Sequence, residues 1–178
     1  MNAKISMAII ISLLINVPEV NAQSDSKKNQ IVSDSKEAKA EFLKTDKSMN
    51  SFFNKAYGYV IFPNVGKGGL GIGGASGNGA VYQGGKLIGS AKLTQVSIGL
   101  QAGGQSYREV IFFENKEVMD RFKDNHVELS AQVSAVAAAS GASANAKYVE
   151  GVMVFTMQKG GLMYEASVGG QKFKFENN

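Results

Sequence analysis

The stretch YGYVIFPNVGKGGLGIGGASGNG, residues 57–79, sets an apolar run against a dense series of glycines, and its reading decides the fold. Fifteen of the chain's 21 glycines lie between Gly58 and Gly104. Each glycine inside a helix costs about 1 kcal/mol relative to alanine, so this density predicts close-packed short strands joined by tight turns. Gly69-Leu70-Gly71-Ile72-Gly73-Gly74 also satisfies the dinucleotide pattern G-x-G-x-x-G. That pattern needs a helix opening at its last glycine and a carboxylate about 20 residues further on. Here the turn-forming run Ala75-Ser76-Gly77-Asn78-Gly79 follows and Lys92 to Val96 holds no acid, so the context speaks against phosphate cradling.

Working outward, period-two segments at Tyr57–Phe62, Leu70–Ala75, Ala80–Tyr82, Lys86–Ile88, Ala91–Gln101 and Ser106–Phe113 are the strand candidates. Asn78-Gly79 and Gly84-Gly85 are the pairs that tight hairpins require, which predicts an antiparallel meander. Leu93, Gln95, Ser97 and Gly99 alternate with Thr94, Val96, Ile98 and Leu100, and the second set gives one apolar face. Glu114–Asp124 has helical spacing, with Asn115 as cap and Val118, Met119 and Phe122 inward. Val127–Ala146 alternates between apolar and polar residues and is read as strand, while its alanines would also tolerate a helix. Val152-Met153-Val154-Phe155 followed by Lys159-Gly160-Gly161-Leu162 mirrors Tyr59-Val60-Ile61-Phe62 followed by Lys67-Gly68-Gly69-Leu70, which predicts two hairpins of similar build in one sheet system.

Ahead of the glycines, Asp34–Ala56 reads as helix, opened by Asp34 with Glu37 three residues on. Ala38, Phe42, Met49, Phe52, Phe53 and Ala56 form one stripe on a helical wheel, while Lys36, Lys39, Lys44, Lys47 and Lys55 fall on the other side. Thr45-Asp46 offers an alternative cap for a second, shorter helix. A basic helix with this apolar stripe covers a sheet or lies in a headgroup layer. Leu43 lies off the stripe, free for a second contact.

The first 22 residues have the form of an export signal: Lys4, the apolar core Met7–Val17, and Val20-Asn21-Ala22 as cleavage site. Residues 23–33 read as a flexible polar leader and 34–178 as a single domain. An exported chain without cysteine holds its fold by packing alone and has no thiol chemistry or cysteine metal site. The net charge of +4 is concentrated at the front, where Lys27 to Lys55 holds seven lysines against four carboxylates. Such a bias suits an anionic partner, and export makes nucleic acid the poorest candidate.

Catalytic chemistry has little support: His126 is the only histidine, with no nucleophile or metal-ligand spacing around it. Glu109 and Glu165 lie inside apolar segments, where a carboxylate more often satisfies neighbouring groups than forms an acid pair. No cofactor or metal is expected.

Ala56-Tyr57-Gly58-Tyr59-Val60-Ile61-Phe62-Pro63, the Lys-Gly-Gly stretch, Gln101–Phe113, Ser130–Ala139 and Gly151–Gly170 together resemble the SYLF lipid-binding domain family, over most of Ala38–Phe175. In eukaryotic relatives this domain binds phosphoinositides and, in some fungal members, actin; bacterial exported members are described as lipid-binding. The chain has no SH3 or FYVE partner domain, so specific headgroup recognition does not carry over. The resemblance implies a non-enzymatic module touching anionic phospholipid or other membrane lipid, and the export signal implies the periplasm or cell envelope as its place. The residues add candidate contacts in Lys36, Lys39, Phe42, Leu43, Lys44 and Lys47 of the helix and Lys67 and Lys159 of the two Lys-Gly-Gly turns. The expected fold is α+β: an antiparallel sheet or partly closed barrel flanked by the N-terminal helix and one or two short helices. A structural or stress-associated envelope protein, binding protein or polysaccharide through exposed strand edges, is the alternative.

Overall fold

The computed structural model describes residues 19–99, 104–130, 132–159 and 168–178; the side chains of 19–24, 70–72 and 97–99 are not described. Most of the expected export signal, Gly160-Gly161-Leu162 and Glu165 lie outside the described residues. No helix among the described residues is long and apolar enough to cross a membrane.

Among the described residues six strands, β1 (Gly58–Gln83), β2 (Lys86–Gly99), β3 (Gln105–Phe113), β4 (Ala135–Ala137), β5 (Val152–Gln158) and β6 (Lys172–Asn177), form one sheet in the order β4-β5-β3-β1-β2-β6. All pairings are antiparallel except β4 with β5. With helices α1 (Glu19–Thr45), α2 (Asn50–Lys55) and α3 (Lys116–Lys123), the class is α+β as expected. The sheet is open, with β4 and β6 as separate edges.

β1 is 26 residues long because it is two ribbons in one. Its first half, Gly58–Lys67, pairs with β3, and its second half, Gly71–Gln83, with β2. The halves lie side by side: Gly84 N donates to Tyr57 O at 3.2 Å, and a Cβ added to Gly79 would sit 2.5 Å from Ile61 O. The chain therefore doubles back around Lys67-Gly68-Gly69-Leu70. Asn78-Gly79, expected as a turn, is instead inside β1, where the missing Cβ permits the close approach of the two ribbons. Gly84 and Gly85 are the expected hairpin turn, with φ of 56° and 77°, positive at both central positions.

The central strands are apolar on both faces because both are covered. Tyr59, Ile61, Val110, Phe112, Met153 and Phe155 face α1 and α2, packed with Ala38, Phe42, Met49 and Phe53. Val60, Phe62, Ile111, Phe113, Val152 and Val154 face α3, whose Val118, Met119 and Phe122 are buried as expected. Asn115 caps α3, its Oδ1 accepting from Val118 N at 3.1 Å.

Further expectations change. The first helix runs through Glu19–Thr45, so residues 23–33 are turns of α1 rather than a leader, and Asp34 is not its cap but accepts from Gln30 Nε2 one turn earlier at 2.6 Å. Ile31 and Val32 extend the packed stripe upstream, which holds these turns on the sheet. Helix α1 ends at Thr45, where Asp46 caps a 3-10 turn, Lys47–Met49, leading into α2. Among the described residues of Val127–Ala146 only Ala135–Ala137 is strand; Glu128 instead bridges β6 at Lys172, and Ala142–Asn145 forms another 3-10 turn. On β2 the faces are reversed: Leu93 and Gln95 are buried while Val96 is 77 % exposed. Leu93 stands level with Phe173 of β6, and that pair joins the core under α3, so Thr94 and Val96 must point the other way.

Candidate functional site

Among the described residues none of β2 or β6 joins the core packed under α1 and α2, and this open part of the sheet face is built by strand register. Across β1, β2 and β6, Asn78, Lys92 and Lys174 form one row, and Ser76, Thr94 and Lys172 the next. Residues level in neighbouring strands share a face. All six are exposed, while Leu93 and Phe173 between them are buried on the opposite face. Polar-out, apolar-in alternation along β2 and β6 thus lays lysines on one exposed face.

Residues 27–31 of α1 form one wall of this surface. Lys27, Lys28 and Ile31 face Asn78, Ser90 and Lys92 across an open cleft of about 180 Å³, with Glu176 at its edge. Five lysines, 27, 28, 92, 172 and 174, therefore surround one face. Lys172 pairs with Glu128 at 3.5 Å and Lys174 with Glu176 at 3.2 Å. Both pairs are exposed to solvent, where such contacts contribute about 0–1 kcal/mol and leave the lysines free to turn to another anion. Lys27, Lys28 and Lys92 have no ion-pair partner among the described residues.

The residues singled out from sequence are distributed differently. Lys36, Lys44 and Lys47 are exposed on the outer side of the helical segment, Lys44 4.0 Å from Glu41. Lys39 turns inward: its Nζ donates to Tyr59 Oη at 3.3 Å and lies 4.6 Å from the Phe53 ring centre, and burial lowers its pKa. Phe42 is fully buried in the core, and Leu43 is half-buried against it, so in this docked arrangement Phe42 presents nothing to a membrane. Lys67, opposite Gln105, and Lys159, whose N donates to Ser106 O at 3.0 Å, flank the start of β3 at one end of the sheet. The mirrored segments thus lie on either side of one shared strand. Sequence reading missed Lys92, Lys172 and Lys174; the period-two spacing of Lys172 and Lys174 was the available signal.

Among the described residues no group of three or more acidic, histidine or cysteine side chains is placed to hold a metal. The family described as Las17-binding protein actin regulator (Ysc84) matches residues 94–178. The chain is also 31 % identical over 128 residues to "Beta cell expansion factor A" of Aeromonas veronii, an alignment covering 71 % of this chain and 48 % of that protein. The chain spans about half the length of this curated relative.

Proposed function

We propose, from the SYLF-type domain that this chain carries over residues 94–178, that it is a non-enzymatic, peripheral lipid-binding protein of the bacterial cell envelope. The family points to lipid in general. Anionic phospholipid is the finer reading, and the observation that carries it is the set of two sheet rows bearing Lys92, Lys174 and Lys172 beside Lys27 and Lys28. An exposed face of lysines with few fixed partners matches the surface of an anionic bilayer, where each basic residue contributes about 1 kcal/mol and salt screens the attraction. The exposed helix lysines Lys36, Lys44 and Lys47 and the turn lysines Lys67 and Lys159 add to the positive field without converging on one site.

The alternative reading, recognition through strand edges, meets an obstacle at β6. The outer edge of that strand is occupied by the chain itself: Leu129 N donates to Gln171 O at 3.0 Å, and Phe175 N donates to Asn125 Oδ1 at 2.6 Å. The opposite edge, β4, is only three residues long. Short or covered edges discourage strand addition.

Vesicle co-sedimentation tests the proposal. At low salt the protein should bind vesicles containing phosphatidylglycerol and ignore pure phosphatidylcholine, and Lys92→Ala with Lys174→Ala should weaken binding about 10- to 30-fold at unchanged melting temperature. Equal binding to neutral and anionic vesicles would sink the electrostatic reading.

A further inference from the structure

On the α3 side of the sheet, away from the basic face, lies a second polar feature. Register places Thr156 of β5 beside Glu109 of β3, and Gln158 beside Tyr107. Gln171, just before β6, donates its Nε2 to Glu109 Oε2 at 3.0 Å. Glu109 and Gln171 are 0 % exposed, Thr156 1 % and Tyr107 3 %.

Among the described residues, Glu109 Oε1, Gln171 Oε1, Gln158 Oε1, Thr156 Oγ1 and Tyr107 Oη have no partner at hydrogen-bond geometry, while the Gln171 side chain acts on the Tyr107 hydroxyl. An unpaired buried polar group costs about 1–3 kcal/mol, and whole domains are stable by only about 5–15 kcal/mol. The two hydroxyls can turn to donate to neighbouring acceptors, but the three carbonyl-type oxygens outnumber them, which leaves room for a further partner. The set is chemically uniform: one carboxylate oxygen, two amide oxygens and two hydroxyls, with no sulfur or imidazole. Burial pushes the Glu109 carboxyl up to about 8, and no basic side chain is among the groups acting on it. What the cluster lacks is positive charge that accepts oxygen donors, and oxygen-only donor sets suit hard cations.

We propose that Glu109, Gln171, Thr156, Gln158 and Tyr107 form a buried binding site for a hard cation of calcium or sodium size. The two hydroxyls ligate through lone pairs and keep their protons. The Glu109 carboxyl ionises as the cation enters, so each ion bound releases up to one proton and affinity rises with pH. A single carboxylate makes a weakly charged site, which places calcium affinity in the range of about 10⁻⁴–10⁻³ M that extracellular modules show. The inference is independent of the lipid proposal, since it concerns the other side of the sheet.

The test uses the full chain stripped of ions with chelator. Thermal unfolding is followed with calcium, magnesium, sodium or potassium chloride at matched ionic strength, at pH 5 and pH 8. Calcium or sodium should raise the melting temperature, more at pH 8 than at pH 5. Glu109→Gln should remove that response while melting higher than wild type in ion-free buffer. A wild type indifferent to all four salts, or a Glu109→Gln variant that still responds, would overturn the proposal. Terbium luminescence gives a readout that does not depend on the variant folding. Tyrosine-excited terbium emission should appear in wild type and fall when calcium is added. Absence of that emission would equally overturn the site.

Discussion

At the scale of single residues, Asp46 joins three pieces of chain. Its Oδ1 accepts from Ser48 N at 3.0 Å and from the Ser48 hydroxyl, while its Oδ2 accepts from Ser143 N at 2.8 Å, 97 residues away in sequence. Burial alone would raise the Asp46 carboxyl, but the hydrogen bonds from Ser48 and Ser143 outweigh it and hold the group well below the usual carboxylate range. A depressed native pKa means that the ionised group stabilises the fold above its unfolded pKa of about 4, and that this contribution is lost as pH falls below it. Asp46→Asn should therefore cost about 1–2 kcal/mol at pH 7, within the range of a lost cap, with the gap to wild type narrowing by pH 3. Urea unfolding at both values measures it; a gap of the same size at pH 3 would show that charge is not the cause. The capping half of this role was legible, since Thr45-Asp46 breaks the helical stripe with a residue suited to a cap. The contact with Ser143 was not, because nothing local announces which backbone amide will arrive from 97 residues away.

At the scale of elements, glycine carries two meanings that one sequence does not separate. A turn with positive φ and a close approach between ribbons both require the absence of a Cβ, so Gly84-Gly85 and Asn78-Gly79 looked alike. Only the first is a turn. On Gly79 a Cβ would lie 2.5 Å from Ile61 O and 2.7 Å from the Phe62 ring, and backbone in a paired ribbon cannot give way cheaply. Gly79→Ala should thus destabilise by about 1–3 kcal/mol, while Asn78→Ala, on the exposed face, should stay within about 0.5 kcal/mol. Thermal unfolding distinguishes the two roles, because a true Asn-Gly turn would make both substitutions costly. The same limit explains β2: its period of two was plain, but which set faced inward depended on Phe173 arriving from β6. Helix α3 was legible in full because its cap, its spacing and its inward residues are all local.

At the scale of the whole molecule, the candidate site was the least legible part because no segment contains it. Lys27 and Lys28 lie in α1, Lys92 in β2, and Lys172 and Lys174 in β6; only the register across β1, β2 and β6 and the docking of α1 bring them to one face. A basic amphipathic helix drew attention first, yet its Phe42 and Ala38 are spent on the sheet, and Ser35 Oγ donates to Ile61 O at 3.2 Å. Two modes of membrane contact then make opposite demands. If α1 inserts its apolar stripe into lipid, it must leave the sheet and uncover Tyr59, Ile61, Val110 and Phe112, at a cost of about 1.5–3 kcal/mol for each fully buried large side chain. If the basic face is the contact, α1 must stay docked, because its residues 27–31 are one wall of that face. The second mode exposes no core and is the one expected here. Amide hydrogen exchange should therefore show residues 35–45 as protected on anionic vesicles as in free solution, with any new protection confined to 27–31, 90–96 and 172–176. Loss of protection across 35–45 on binding would mean that the helix departs and that the membrane meets its apolar stripe instead.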